Sequence, residues 1–590
     1  VNDTPEPFCG DVVFETADIA SAVHTAIAPY GEAVVKVELH IESPRLWHVD
    51  APNLYTLSIR IGEEIHTESF GVRTVGFDPD RGFLLNSKPL KIHGACVHQD
   101  FGGVGVALTD NLQRYKIARL KAMGVNAYRC SHHAPAPALL RACDELGMLV
   151  MDETRLFGTS PEAVRQLTSV MERDRNHPCV FIWSLGNEEF SVQNDPWSHR
   201  LMKYIIRHNK EVLLFLYANG AAEVRGVNYI RGVLHEDGRW LDRYHADHPH
   251  QPIIGTEESS YVLSRGGART DLGNGLLDSS GLITMPWGST PKGWVKYFEK
   301  RDFLAGSFMW TGIDYRGEPN PFVTTNVCSS FGAIDLCGME KPPFYYYKAW
   351  WTDEPVLKLT PHWNHMAGEI VEICAFTNCS EIRLSLNGRE LETRRVERFD
   401  APVFRIPFEP GVLCAEAEYN GQILRSELRT STLPAHSSAD VAIYELSAVD
   451  ENGLFCPVAE EYVDLSIENG RIIGVGNGDP ACLDPEQLLP VEEAVYLRCF
   501  RMNETELYSM PQKDHNVLRS RHDWLETESA GNGFEDDRKT LARHREEKHD
   551  PLLAAFRQME ADQAAAANPD PDKPGALKRM WNVLKRRKSA

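Results

Sequence analysis

The sequence predicts a multidomain protein with a central (β/α)8 TIM barrel between antiparallel β-sandwich domains. Strand-like and helix-like patterns alternate from Gly82 to Trp351, and the strand-like segments in this stretch number eight. Eight parallel strands with intervening helices close into a barrel. On both sides of the stretch, the pattern changes to short alternating segments separated by Pro, Asn and Gly, which is typical of sandwiches. A chain of 590 residues has room for roughly three to five domains.

The predicted barrel strands are short apolar segments, and the helices between them carry recognisable ends. The strands are predicted at 90–98, 125–129, 148–152, 180–185, 212–217, 227–230, 252–256 and 304–310. A first helix over 110–123 stops at Gly124, and a second over 136–146 stops at Gly147. Ser160 and Pro161 supply the N-cap and first-turn signals of a third helix.

Two of these strands run into carboxylates. The segment 180–185 is apolar at nearly every position, as a strand buried on both faces would be, and it leads through Gly186 and Asn187 to Glu188. The segment 252–256 leads directly into Glu257 and Glu258. Charged groups at the carboxyl ends of barrel strands lie where barrel enzymes place their chemistry. Two such carboxylates are the minimum apparatus for cleaving a glycosidic bond, because one protonates the leaving oxygen and the other attacks the anomeric carbon.

Four segments together resemble the catalytic barrel of glycoside hydrolase family 2, which includes β-galactosidases and β-glucuronidases. They are RCSH at 129–132, NHPCVFIWSLGNE at 176–188, GTE at 255–257 and SFMWTGIDYRGEP at 307–319. The resemblance implies a retaining mechanism in which Glu188 is the general acid/base and Glu257 is the nucleophile. Glu257 is preferred to Glu258 because it directly follows the Gly-Thr pair, and because adjacent residues on a strand point to opposite sides.

The resemblance also implies a set of substrate-binding residues. These are His98, Asp100, Arg129, His132, Asn187, Tyr229 and Trp310. Asn187 would contact the sugar 2-hydroxyl, Tyr229 would hydrogen-bond the nucleophile, and Trp310 would lie under the apolar face of the sugar.

Each of these roles has a purely structural alternative. Arg129 would keep the nucleophile ionised, but it could instead form a salt bridge with Asp152 or Glu153. Tyr229 and Trp310 could be ordinary core residues. The adjacent His133 is expected to support the site from behind His132 rather than to touch the sugar.

The expected substrate is a terminal β-D-galactoside or a related neutral β-hexoside. β-Glucuronidases of the family read the sugar carboxylate with an Asn-x-Lys motif, and the nearest candidate here, Asn326-Val327-Cys328, has cysteine in place of lysine. A β-glucuronidase, a β-mannosidase or an inactive carbohydrate-binding fragment remain the alternatives. The His and Glu cluster that holds magnesium in some relatives is not recognisable, so we predict no metal site and no cofactor.

Five segments are expected along the chain. They are an immunoglobulin-like β-sandwich at 1–78, the TIM barrel at 79–353, an accessory sandwich at 357–430, a second accessory sandwich at 432–500 and a charged helical or disordered tail at 501–590. Within them, strands are expected at 34–41 and 55–61, and a hairpin turn at Asn387-Gly388. No segment resembles the sugar-binding domain with which family members usually open, so the N-terminus is expected to be truncated.

Charge and cysteine content restrict the partners. The formal net charge of −22 argues against nucleic-acid binding. Thirteen scattered cysteines cannot all pair, which favours reduced thiols and a cytoplasmic setting, and no signal peptide is visible. The basic segment 576–588 has apolar residues at helical spacing; this pattern fits weak contact with a membrane surface, and equally a solvated helix or a surface that packs on a partner. A homo-oligomer is compatible with the sequence.

Overall fold

The computed structural model describes most of the chain up to residue 431. The described residues are 1–17, 19–155, 160–184, 186–187, 224–229, 239–265, 270, 275–279, 283–322 and 326–431, with the backbone of short strands at 215–216, 436–440, 445–449, 462–465 and 495–498. The chain divides into two compact units, Val1–Met502 and Asn503–Ala590, and every described residue lies in the first. The tail at 501–590, its basic segment 576–588 and the predicted acid/base Glu188 therefore lie outside the described residues.

The N-terminal region forms antiparallel sheet. Its strands are β1 (Phe8–Thr16), β2 (Ile19–Ile27), β3 (Trp47–His48), β4 (Ala51–Pro52), β5 (Tyr55–Ile61) and β6 (Glu64–Phe70). Four of them form a sheet in the order β2-β1-β5-β6. The strand predicted at 55–61 is present, but the one predicted at 34–41 is wrong, because this segment has no ladder partner among the described residues. Alternation describes which side chains are half-buried, but a strand also needs a neighbour for its backbone hydrogen bonds.

A small antiparallel sheet leads from this region into the barrel. It consists of β7 (Val75–Asp78), β8 (Gly82–Leu85) and β9 (Lys88–Pro89).

The barrel is a parallel sheet of eight strands. They are β10 (Ile92–Val97), β11 (Ala127–Cys130), β12 (Leu149–Glu153), β13 (Val180–Ser184), β14 (Phe215–Leu216), β15 (Arg225–Asn228), β16 (Ile253–Ser259) and β17 (Leu304–Trp310). Their order is β14-β13-β12-β11-β10-β17-β16-β15. All eight predicted strands are found, with shifted ends. β16 continues past its predicted end to Ser259 because its ladder with β17 runs as far as Trp310, so Glu257 lies inside the strand rather than after it.

Six described helices belong to the barrel region. They are α1 (Asp110–Ala122), α2 (Pro137–Leu146), α3 (Pro161–Asp174), α4 (Trp240–Asp247), α5 (Pro291–Glu299) and α6 (Pro342–Trp351). Ser160 caps α3 by accepting a hydrogen bond from the Ala163 backbone N–H, as predicted. Gly147 ends α2 with a φ of +72°, a conformation that glycine adopts without strain. In the part of the chain that the structure describes, no helix is long and apolar enough to cross a bilayer.

β-structure returns after α6. The strands are β18 (Leu357–Thr360), β19 (Ile370–Thr377), β20 (Glu381–Leu386), β21 (Arg389–Arg395), β22 (Val403–Pro407), β23 (Val412–Tyr419), β24 (Gln422–Arg429), β25 (His436–Asp440), β26 (Glu445–Val449), β27 (Tyr462–Leu465) and β28 (Val495–Arg498). Two antiparallel sheets, β18-β19-β22 and β21-β20-β23-β24, enclose a separate apolar core that includes Trp363 and Phe404. The predicted hairpin joins β20 to β21, with φ of +53° at Asn387 and +78° at Gly388. The domain boundaries given above stay predictions.

Gly306 shows how closely the barrel strands approach one another. It has a φ of +118°, and a Cβ added there would lie 2.2 Å from the carbonyl oxygen of Ile92 on the neighbouring strand. Gly62, in the turn between β5 and β6, has a φ of +60°, and nothing lies within 4 Å of its added Cβ.

We expect Gly306→Ala to lower the free energy of unfolding by more than about 3 kcal/mol, because strain and a backbone clash add. Gly62→Ala should cost only about 1 kcal/mol, since it carries strain alone. Thermal unfolding followed by circular dichroism measures both variants. Equal losses would contradict the close approach of β10 and β17 at this residue.

Candidate active site

The predicted nucleophile Glu257 is held by two donors. It is 2% exposed and lies on β16. Arg129 Nη1 donates to its Oε1 at 2.7 Å, and the Tyr229 hydroxyl donates to its Oε2 at 2.7 Å. Each carboxylate oxygen therefore accepts a hydrogen bond from a strong donor, and these two bonds fix the orientation of the carboxylate. Burial and the Glu257 charge together raise the pKa of Tyr229 well above its ordinary value, which keeps the hydroxyl protonated as a donor.

Arg129 is fully buried and joins several strand ends. Besides Glu257, its guanidinium donates to Glu153 Oε2 at 3.0 Å, to the Thr256 carbonyl oxygen at 3.1 Å and to Asn187 Oδ1 at 3.0 Å. Burial opposes the cation, but the charges of Glu153 and Glu257 raise the pKa of Arg129 well above its ordinary value. The two interpretations given for Arg129 are therefore not exclusive, since it pairs with Glu153 and with the predicted nucleophile at once.

The sequence suggested Glu153 only as a possible ion-pair partner of Arg129, although it ends β12 in the same way that acids end the other two strands. Its Oε1 lies 2.6 Å from His132 Nδ1, and its Oε2 accepts from Ser184 Oγ at 2.6 Å. Burial opposes its charge, but Arg129, His132 and Ser184 together lower the pKa of Glu153 below its ordinary value. Glu153 is thus a buried anion that orients Arg129 and His132. The rule that singled out Glu188 and Glu257 would also have found it.

Asp152, the other alternative partner for Arg129, lies on the opposite side of β12. Its carboxyl interacts with Asp174 at the end of α3, and burial together with that second acid raises the pKa of Asp152 well above its ordinary value. Alternation along the strand separates the two acids, so that Glu153 faces the site and Asp152 faces the helices. Glu257 and Glu258 are likewise adjacent strand residues, both buried, and the contacts with Arg129 and Tyr229 belong to Glu257.

Aromatic side chains form a wall beside the carboxylates. Trp310 stacks on His132 with ring centroids 5.5 Å apart, and it meets His98 and Tyr315 edge to face at 5.6 and 5.7 Å. His98 stacks on Tyr315 at 3.8 Å. His132 Nε2 lies 3.7 Å from Glu257 Oε1, so the wall adjoins the predicted nucleophile. Burial lowers the pKa of His98 to about 2, so its ring is neutral and can exchange hydrogen bonds with hydroxyls.

Asp100 and His133 lie at the edge of this group. The Asp100 carboxylate accepts the backbone N–H of Arg316 at 2.8 Å, and its backbone carbonyl accepts from the buried Lys116. His133 Nδ1 lies 3.3 Å from the Ser131 carbonyl, and burial lowers its pKa to about 4. The structure therefore brings His98, Arg129, His132, Asn187, Tyr229 and Trp310 together around Glu257, with Asp100 tied to the loop after β17. Their roles in binding stay predictions.

One group of possible metal ligands occurs among the described residues, at the start of β13 rather than at its carboxyl end. Asp144, His177 and Cys179 place their ligand atoms within 4.8 Å of one another. Asp144 contacts His177 Nδ1 at 2.5 Å and accepts the Cys179 backbone N–H at 3.0 Å. Burial raises the pKa of the Cys179 thiol well above its ordinary value, which disfavours the thiolate that a metal needs. We interpret this cluster as a hydrogen-bonded link between α2 and β13.

A buried ion pair lies behind the aromatic wall. Asp314 Oδ2 accepts from Lys341 Nζ at 2.8 Å, and its Oδ1 accepts the Gly332 backbone N–H at 2.6 Å. Burial raises the pKa of Asp314 to about 6, against the opposing effect of Lys341.

We expect the unfolding free energy of the wild-type chain to fall relative to that of Asp314→Asn as the pH rises from 4 to 6. Below pH 4 the carboxyl is neutral in both states. Between pH 4 and 6 the Asp314 carboxyl is ionised in the unfolded chain but still protonated in the folded chain. Folding therefore takes up a proton, and this becomes less favourable as the pH rises. The difference should change by about 3 kcal/mol across this window. Urea unfolding at four pH values measures it, and a difference that does not depend on pH would contradict a raised pKa at Asp314.

Comparisons with known proteins agree with this geometry. Residues 79–167 and 158–324 match the family described as "Glycosyl hydrolases family 2, TIM barrel domain", and residues 10–73 match "Glycosyl hydrolases family 2". Residues 368–424 match a domain of unknown function, DUF4982. With the eight-stranded parallel sheet, these matches confirm the predicted fold class, a central TIM barrel with immunoglobulin-like β-sandwich domains.

Individual relatives carry two different activities in their names. The chain is 30% identical over 567 residues to the beta-galactosidase BoGH2A of Bacteroides ovatus, covering 80% of this chain and 66% of the relative. It is 29% identical over 550 residues to a putative beta-glucuronidase of Formosa agariphila, covering 79% and 52%. A solved beta-glycosidase from Bacteroides vulgatus superposes with a TM-score of 0.69 at 24% identity, covering 84% of this chain and 71% of that one. The chain thus spans between about half and two thirds of the length of these two curated relatives.

Proposed function

The chain belongs to glycoside hydrolase family 2, and we propose that it is a retaining exo-β-glycosidase that hydrolyses terminal β-D-galactosides or related neutral β-hexosides. Glu257 attacks the anomeric carbon, and the bond to the leaving oxygen breaks as Glu188 donates a proton to that oxygen. Glu188 then removes a proton from water, which attacks the glycosyl ester and releases the sugar with retained configuration.

The observation that carries the proposal is the pair of donors on Glu257. A nucleophile must be ionised and must not rotate, and Arg129 and Tyr229 each hold one of its oxygens at 2.7 Å. As the ester forms, the charge on the carboxylate falls, and the Tyr229 hydroxyl is free to hydrogen-bond elsewhere. A carboxylate that served only the fold would not need to lie beside a histidine and tryptophan wall at the carboxyl end of a barrel.

The position of Asn187 supports the assignment of Glu188, which lies outside the described residues, as the general acid/base. The Arg129 guanidinium fixes Asn187 Oδ1 at 3.0 Å, so the residue directly before Glu188 lies at the same group of strand ends as Glu257. The separation of about 5 to 5.5 Å that a retaining mechanism requires of the two carboxyl groups stays a prediction.

The preference for a neutral sugar is supported by the segment where the family's uronate-reading motif was sought. Asn326 is 4% exposed, and its side-chain amide donates to the Gly275 carbonyl at 3.2 Å. Cys328 is buried, and its backbone forms an antiparallel β-bridge with that of Arg316. Neither side chain supplies a cation for a sugar carboxylate.

β-Glucuronidase is the second candidate, because relatives from Formosa agariphila carry that name. Arg155 gives this alternative a physical basis. It is exposed after β12, and its charge contributes to the lowered pKa of His98, after burial and the larger effects of His132, His133 and Lys116. Arg155 could therefore pair with a uronate that reached the aromatic wall. A β-mannosidase and an inactive carbohydrate-binding fragment also remain, the latter because the chain spans at most two thirds of those relatives.

We expect β-D-galactoside to give the highest kcat/KM in a panel of nitrophenyl galactoside, glucoside, mannoside and glucuronide. The physical reason is the missing lysine at residue 328, without which a uronate loses a charge-assisted hydrogen bond worth about tenfold or more in rate. Initial rates with the full chain measure the order. If the chain prefers the glucuronide and Arg155→Gln abolishes this preference, the second candidate replaces the proposal. If the chain hydrolyses none of the four glycosides, the inactive carbohydrate-binding fragment is the remaining interpretation.

We expect a 2-deoxy-2-fluoro glycoside to leave its label on Glu257. The fluorine slows both steps, and a good leaving group such as dinitrophenolate keeps ester formation faster than hydrolysis, so the ester accumulates and peptide mass mapping identifies the labelled residue. Glu257→Ala should lose at least about a thousandfold in kcat and take no label, whereas the matched variant Glu258→Gln should still be labelled at Glu257. A label on Glu258 in the wild-type chain would overturn the assignment of the nucleophile.

A further inference from the structure

A third carboxylate stands beside the aromatic wall. Tyr315, five residues after the end of β17, is 3% exposed, and its ring is fixed between His98 at 3.8 Å and Trp310 at 5.7 Å. Its hydroxyl donates a hydrogen bond to Glu318 Oε2. Glu318 itself is exposed, so a buried tyrosine holds the carboxylate at the edge of the wall.

The charge of Glu318 acts on two tyrosines of the candidate site. Burial raises the pKa of Tyr315 well above its ordinary value, and the charges of Glu318 and Glu257 both add to this effect. The Glu318 charge also adds to the raised pKa of Tyr229, after burial and Glu257. The Glu318 charge therefore acts on both tyrosines, and the hydrogen bond from the Tyr315 hydroxyl places its carboxylate beside the aromatic wall.

The backbone holds Glu318 in an unfavourable conformation. Its φ is +43°, in a region that residues with a Cβ adopt at a cost. The preceding Gly317, with a φ of +93°, donates its N–H to the Val327 carbonyl at 2.8 Å, which ties this turn to the 326–328 segment. The turn is thus fixed from both sides, by Val327 through the backbone and by Tyr315 through the side chain.

The wall also has an unsatisfied polar atom. His98 Nε2 is buried and has no hydrogen-bond partner among the described residues. Since an unpaired buried nitrogen is costly, a ligand hydroxyl is the natural partner for it. His98 stacks directly on Tyr315, so such a hydroxyl would lie on the same wall that presents Glu318.

We propose that Glu318 is a specificity-determining residue that accepts hydrogen bonds from the C4 or C6 hydroxyl of the sugar and excludes a carboxylate at C5. This assignment rests on the proposed function and deepens it, because it makes the preference for neutral hexosides the result of a built-in negative charge as well as of a missing lysine. The hydroxyls of a galactoside donate to the Glu318 carboxylate. A uronate in the same place would bring two anions together, and like charges repel.

Two arginines lie near the wall. Arg316 Nη1 lies 3.8 Å from Asp100 Oδ2, so this guanidinium already faces an acid. Arg155, exposed after β12, is the cation that would compete with Glu318 for control of the sugar's charge. The negative charge of Glu318 would disfavour the binding of a uronate, whereas the positive charge of Arg155 would favour it.

The test compares Glu318→Gln with Glu340→Gln. Gln keeps an acceptor for Tyr315 and removes only the charge. Glu340 is a matched control, since it accepts a hydrogen bond from the Tyr345 hydroxyl and pairs with Arg119 away from the wall. Isothermal calorimetry with galactose-configured and glucuronate-configured lactams measures binding without turnover. Rates on nitrophenyl galactoside and its 4-deoxy and 6-deoxy analogues then locate the hydroxyl.

In Glu318→Gln, we expect the binding ratio of neutral to uronate lactam to fall about tenfold or more. We expect the loss of kcat/KM to be at least about tenfold on the galactoside and clearly smaller on one deoxy analogue. Glu340→Gln should change neither. Equal losses on all three substrates, an unchanged lactam ratio, or no binding of either lactam by the wild-type chain would overturn the assignment. A chain that binds the neutral lactam through Glu318 but turns over no glycoside would leave it standing and refute hydrolysis alone.

Discussion

The buried guanidinium of Arg129 is the interaction on which the rest of the site depends. A cation that is 2% exposed is tolerated only if anions and acceptors surround it, and Arg129 has Glu153, Glu257, Asn187 and the Thr256 carbonyl. Removing one partner of such a buried pair typically costs about 3–5 kcal/mol. The carboxyl ends of β11, β12 and β16 are therefore held in register by charge, in addition to the apolar packing that builds the barrel beneath them.

The same network sets the ionisation of the groups around it. Glu153 stays an anion in spite of burial because Arg129, His132 and Ser184 lower its pKa. Its contact with His132 Nδ1 leaves Nε2 of that ring directed toward Glu257. His132 in turn stacks on Trp310, so the orientation of the aromatic wall follows from the position of one buried acid. Tyr315 and Glu318 extend that wall outward, and Glu318 is the residue to which we assign the recognition of sugar hydroxyls.

The acidic character of the pocket has a consequence for the substrate. Glu153 and Glu257 share the single positive charge of Arg129, and the Glu318 carboxylate accepts a hydrogen bond from the neutral hydroxyl of Tyr315. A sugar substituent beside the Glu318 carboxylate would sense its negative charge, which favours hydrogen-bond donors over anions.

Much of the fold and of the candidate site follows from the sequence itself. Period and punctuation located all eight barrel strands, the caps at Ser160 and Gly147 and the hairpin at Asn387-Gly388, because these depend on local preferences and burial. The prediction of a strand at 34–41 was wrong because the alternation of apolar and polar residues does not show whether a neighbouring strand is present to pair with it. The motif residues converge on Glu257 because parallel strands bring their carboxyl ends to one edge, which a linear pattern can anticipate.

Tertiary structure alone decided that Arg129 bridges Glu153 and Glu257 at once, that Asp152 turns away to Asp174, and that Tyr315 holds Glu318 beside the wall. Those contacts join residues from different strands and loops, and their distances depend on packing that no local pattern encodes.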